Sequence, residues 1–163
     1  MSIVETENRV ASVAPAGLNV RRTLLVVDDQ PNVRSSIAHY LEFCGYRTVA
    51  AESGLAAIEL VRIEQIDGAL IDVHMPGLTG FDTCARLLAV AREANKPIKV
   101  WFMTGAFTRG MDETCRQVGG LAIFRKPFEW PQLLAEVERG LLPAPSPLKN
   151  TDATTAEQAK PQE

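Results

Sequence analysis

Five short apolar runs divide the middle of this chain, and each is followed by a segment whose apolar residues recur at helical spacing. The first run, Thr-Leu-Leu-Val-Val over residues 23–27, has no polar face, as expected of a strand buried on both sides in a parallel sheet. It ends in Asp28 and Asp29. Pro31 suits the first position of a helix, and Val33, Ile37, Leu41 and Cys44 follow at three- and four-residue steps until Gly45 provides a stop. The unit then recurs. Residues 48–51 form a second strand, and Ser53 can cap a helix carrying Leu55, Ala56, Ile58, Leu60 and Val61. A third strand at 69–73 precedes a helix at 81–94, and a fourth at 99–104 precedes a helix at 109–118 closed by Gly119 and Gly120. The fifth strand spans 121–125 and the last helix 131–141. Strand and helix alternating five times imply an α/β fold, a parallel sheet with helices on both faces. Right-handed crossovers leave few topologies for it, and ligands of such sheets bind beyond the C-terminal strand ends.

The 163 residues suffice for one domain with a proper core, and 46% hydrophobic with 23% charged residues is ordinary for a soluble globular protein. Residues 1–21 carry no sustained period and read as a flexible arm. From Pro143 the chain turns to Pro, Thr, Ala, Gln and Glu, a composition expected of a disordered tail over 143–163. A net charge of -3 argues against a nucleic-acid-binding surface spread over the chain. Cys44, Cys84 and Cys115 are odd in number and widely spaced, so they signal neither a disulfide framework nor a zinc site. No apolar run approaches the roughly 18 residues that a membrane span requires. The N-terminus, with Glu5, Glu7 and Arg9, does not read as a signal peptide, so a cytoplasmic location is expected.

The strand ends carry the chemistry. Asp72, alone, would serve equally well as the cap of the following turn, where Pro76, Gly77 and Gly80 are breakers. Its companions argue for more: Asp28 and Asp29 end the first strand, Thr104 the fourth and Lys126 the fifth. Converging carboxylates raise one another's pKa unless a cation sits among them. Oxygen ligands in an open site favour Mg²⁺. With Lys126 as a fixed cation and Thr104 as a donor, the set suits phosphoryl transfer, Asp72 being the nucleophile.

These residues carry a resemblance. Asp28-Asp29, Asp72 within Asp-x-x-Met-Pro-x-x-x-Gly, Thr104 before Gly105, and Lys126-Pro127-Phe128 resemble the receiver domain of bacterial two-component response regulators, over about residues 22–142. The resemblance implies a flavodoxin-like (βα)5 fold of strand order 2-1-3-4-5, and an aspartyl phosphate formed on Asp72 from the phosphohistidine of a histidine kinase. It implies Mg²⁺ held by Asp29 and Asp72 and by the backbone carbonyl of His74, with Asp28 acting through water. Lys126 would contact the phosphoryl oxygens, Thr104 would swing in after transfer, and the Lys126–Pro127 bond would be cis.

Three positions depart from the pattern or tune it. Where the family carries a switch aromatic, three residues before the lysine, this chain has Ile123, with Phe124 one place on. His74 and Ala106 stand two residues after Asp72 and Thr104, where the family tunes phosphate loss to water. With no output module expected after Leu142, the signal would leave by contact with an effector protein or by relay to a histidine phosphotransfer protein. Phe107, Met111 and Val118 could form a dimerising face. The rivals are a pseudo-receiver that is never phosphorylated, a haloacid-dehalogenase-type phosphatase and a flavin-binding protein. His74 stands where that phosphatase pattern has its second acid, and Asp28-Asp29 would repel a flavin phosphate.

Overall fold

The computed structural model describes residues 21–143. Most of the arm and most of the tail expected from the sequence lie outside the described residues. Ten elements alternate: β1 (Thr23–Val27), α1 (Pro31–Phe43), β2 (Arg47–Ala51), α2 (Gly54–Ile63), β3 (Gly68–Asp72), α3 (Gly80–Glu93), β4 (Lys99–Thr104), α4 (Met111–Gln117), β5 (Ile123–Arg125) and α5 (Trp130–Leu141). The strands form one parallel sheet of order β2-β1-β3-β4-β5, the flavodoxin-like order that the resemblance implied.

Both faces of the sheet are covered, which explains why β1 reads as an unbroken apolar run. Leu24 and Val26 point to one core with Leu70, Trp101 and Met103, closed by Ile37 and Leu41 of α1 and Leu133 and Val137 of α5. Leu25 and Val27 point to the other with Ile71, Val100 and Phe102, closed by α2, α3 and α4. Strand alternation thus splits one apolar run between two cores. Trp101 is fully buried, while Trp130 stacks at the edge on Tyr40 and Phe128. Met111 is buried, and Phe107 and Val118 pack partly buried against its cluster, so these residues serve the core.

Helix ends follow local chemistry. The Ser53 hydroxyl accepts from the Ala56 N–H and caps α2. Gly45, at φ 97°, ends α1: its N–H bonds the Glu42 carbonyl and that of Tyr46 bonds Leu41, the paired closure that a left-handed residue permits. α4 begins two residues later than the sequence suggested, because Gly110 at φ 91° cannot belong to the helix. β5 is shorter than expected, although Leu121 N–H already bonds the Val100 carbonyl.

Candidate functional site

The loops leaving the C-terminal edge of the sheet at β1, β3 and β5 bring charged side chains together, and the β4 loop meets the β3 loop where His74 approaches Ala106. The β1 and β3 ends are central strands, so the carboxylates following them are drawn into low dielectric. Asp28 is fully buried and Asp72 is 3% exposed. Asp28 is held by its own turn: Oδ1 accepts from Gln30 N–H at 2.9 Å, and its carbonyl accepts from Arg34. Lys126 enters from the far end of the sheet and donates to both acids, at 2.5 Å to Asp28 Oδ2 and 2.8 Å to Asp72 Oδ1. Oxygens of Asp28, Asp29 and Asp72 lie within 4.8 Å of one another. Asp29 Oδ1 is the one buried side-chain polar atom among the described residues without a hydrogen-bond partner.

Three carboxylates thus lie close together, and one ammonium bonds two of them. Burial pushes the Asp72 carboxyl above the ordinary carboxylate range; Lys126 opposes this, while Asp28 and Asp29 add to it. Burial pulls the Lys126 ammonium down, but its hydrogen bonds to Asp28 and Asp72 and their charges prevail and raise it. The two directions agree once the charges are counted: the lysine has two close anions, whereas Asp72 has one close cation and two anionic neighbours. The arrangement carries excess negative charge beside a buried carboxylate, which is the setting of a cation-binding pocket.

The sequence model of the response regulator receiver domain matches residues 24–138. The chain belongs to this family. Sporulation initiation phosphotransferase F of Bacillus subtilis (strain 168) is 30% identical over 118 residues, which cover 72% of this chain and 92% of that protein. Response regulator MprA of Mycobacterium sp. (strain KMS) is 32% identical over 135 residues, 80% of this chain but 54% of the relative, so this chain spans about half of that protein. Among solved structures, chemotaxis protein CheY4 of Vibrio cholerae superposes with a TM-score of 0.67 at 26% identity, over 74% of this chain and 99% of that one. A receiver domain protein from Methanospirillum hungatei JF-1 shares the fold, with a TM-score of 0.69 at 22% identity over 75% and 94% of the two chains.

In this receiver domain the remaining sequence-predicted residues lie at the end of β4, in the loops after β3 and β4, and on β5. The Lys126–Pro127 peptide bond is cis. The fully buried Thr104 hydroxyl donates to the Ala106 carbonyl at 3.1 Å and accepts from the Ala106 N–H at 3.2 Å, so it is engaged with its own loop. His74 is exposed, and its Nε2 lies 3.3 Å from the same carbonyl. His74 and Ala106, named separately from the sequence, are thus in contact. Ile123 is a half-buried residue of β5 packed against the core.

Two contacts had no clear signal in the sequence. Arg34 secures the Asp28 carbonyl from the first turn of α1, where an arginine is unremarkable. Gly80 reads as a turn breaker, yet its role is steric: α3 starts against the end of β3, with Thr79 capping it through Asp82 N–H. A Cβ on Gly80 would lie 2.3 Å from the Asp72 carbonyl oxygen and 2.8 Å from Val73 Cα. Since both atoms are backbone, relief requires moving the loop that carries Asp72. Gly80→Ala is expected to cost about 1–3 kcal/mol in denaturant unfolding, the usual range for overpacking. An unchanged unfolding midpoint would contradict the close approach.

Proposed function

We propose that the chain is a single-domain response regulator, acting in the cytoplasm, whose Asp72 accepts a phosphoryl group from a histidine kinase or a histidine phosphotransfer protein. It would signal onward by protein contact or by relay of that group. The observation that carries this reading is Lys126 bridging Asp28 and Asp72 beside a buried oxygen of Asp29 that has no partner among the described residues. The match over 92% of Sporulation initiation phosphotransferase F supports a single-domain carrier. No activity on an outside substrate is proposed beyond the domain's own phosphorylation and dephosphorylation.

The donor set fits a magnesium ion: three carboxylates, no nitrogen or sulfur, and one buried oxygen that has no hydrogen-bond partner among the described residues. Asp28, Asp29 and Asp72 would hold the ion, with the His74 backbone carbonyl as a further ligand. When bound, it would neutralise the carboxylates and screen the incoming phosphoryl oxygens. The ionised Asp72 carboxylate attacks phosphorus, the P–N bond of phosphohistidine breaks, and its electron pair returns to the imidazole nitrogen, leaving an acyl phosphate. Lys126 holds a phosphoryl oxygen, and Thr104 redirects its hydroxyl proton to another.

The test is incubation with Mg²⁺ and acetyl phosphate, read by intact mass and peptide mapping. One phosphoryl group is expected, on Asp72, and none when the metal is chelated. A group mapped elsewhere, or none with Mg²⁺ present, would sink the reading. Metal binding has its own signature: Mg²⁺ is expected to raise the melting temperature, with about 2.7 kcal/mol gained at a hundredfold excess over its dissociation constant. Asp29→Asn should blunt that rise. A melting temperature indifferent to millimolar Mg²⁺ would count against the site.

A further inference from the structure

Ile123 leaves this receiver without a ring at the switch position, so a loop movement at β4 needs another way to reach the sheet edge. The structure supplies one. The Thr104 hydroxyl has a single proton, now given to the Ala106 carbonyl. The next residue, Phe107, lays its ring against the Arg125 guanidinium, with Cζ 4.0 Å from the ring centroid. Arg125 pairs with Thr104 across the β4–β5 ladder and directly precedes Lys126, whose N–H bonds the Thr104 carbonyl at 2.7 Å. Among the described residues Arg125 makes no salt bridge, so the ring is the partner of its charge.

We propose that Phe107 and Arg125 are positioning residues that latch the β4–α4 loop in its unphosphorylated arrangement and release it when Asp72 is modified. The inference rests on Asp72 being the phosphoacceptor. A phosphoryl oxygen claims the Thr104 proton, the Ala106 carbonyl loses that donor, and the loop carrying Phe107 moves off Arg125. The Arg125 guanidinium, already exposed beside β5, then stands without its ring partner. This does the work that a rotating ring at position 123 would otherwise do. The latch opposes modification, so breaking it favours the modified state.

Beryllofluoride with Mg²⁺, a mimic of the acyl phosphate, is the probe. It is titrated into the wild type, Phe107→Leu, Arg125→Gln, the double variant and the conservative Phe107→Tyr, with NMR reporting the Arg125 side chain and the Ala106 amide. In the free wild type the Arg125 δ protons are expected upfield, shifted by the ring, and that displacement should vanish at saturation. Phe107→Leu and Arg125→Gln should each bind the probe roughly two- to fivefold more tightly, the loss of one exposed cation–π contact. The double variant should gain no more than either single one, and Phe107→Tyr should match the wild type. Equal affinities throughout, or an unmoved Arg125 at saturation while the Ala106 amide shifts, would overturn the latch alone. Absence of any saturable change at Ala106 in every protein would overturn the phosphoacceptor reading and the latch together.

Discussion

Asp72→Asn is expected to take up no phosphoryl group from acetyl phosphate or from any phosphohistidine donor, and at the same time to unfold at higher denaturant than the wild type in metal-free buffer. The first effect follows from chemistry: the amide is no nucleophile at phosphorus, and Asp28 and Asp29 have no proposed role in attack. The second follows from the charge balance. The Asp72 carboxyl lies above the ordinary carboxylate range, chiefly through burial. A raised folded pKa means that ionisation costs stability. The cost sets in as pH rises through the unfolded value of about 3.9 and is complete above the folded one. Removing the charge also removes repulsion from Asp28 and Asp29 while Lys126 keeps Asp28. A gain of about 1–2 kcal/mol is expected in urea unfolding with chelator. Acid- and alkali-labile label persisting on Asp72→Asn, or a loss of stability, would contradict the site as described.

Much of the fold was legible because the two periods do not compete here. The β1 run Thr23–Val27 and the Lys99–Thr104 run of β4 match the sequence expectation end to end, since a strand buried on both faces has no polar interruption to blur it. Helix α1 was equally clear, bracketed by Pro31 and Gly45, each with one permitted place. The misjudged boundaries are those decided by backbone conformation. Gly110 sits at positive φ and delays α4, a property that no side-chain pattern encodes. At the edge of the sheet, β5 is trimmed because only one neighbour specifies its ladder.

The site was legible to the extent that its residues end strands. Topology alone brings Asp28, Asp72, Thr104 and Lys126 to one edge, and the structure adds that Lys126 is close enough to bond two acids at once. Contacts made through the backbone were not legible. The Ala106 carbonyl is an acceptor whatever its side chain, so its bonds with Thr104 and His74 could not be read from residue types. Nor could the Phe107–Arg125 pair, because it joins a loop to a strand eighteen positions on through geometry alone.

Lys126→Met is expected to act with the opposite sign to Asp72→Asn on the same cluster. Methionine keeps most of the stem but removes the one cation shared by Asp28 Oδ2 and Asp72 Oδ1, leaving two buried carboxylates without it. Breaking a buried pair from one side costs about 3–5 kcal/mol, and proton uptake by the acids relieves part of this, so a loss of about 2–4 kcal/mol at neutral pH is expected. The raised Lys126 pKa gives the sign: its stabilisation is fully present below the usual lysine value of about 10.4 and is lost only as pH climbs through the folded value. The deficit of the variant should therefore be steady across neutral pH. It should narrow in acid, where the carboxyls protonate, and in Mg²⁺, which replaces the missing charge. Phosphoryl uptake should fall by roughly a hundredfold or more, as for loss of one preorganised charge at a reacting oxygen. Lys126→Arg should recover the stability better than the rate, because its planar fork keeps the charge but not its point position. Equal unfolding midpoints for Lys126→Met and the wild type, with and without Mg²⁺, would mean that the ammonium does not hold the acids together.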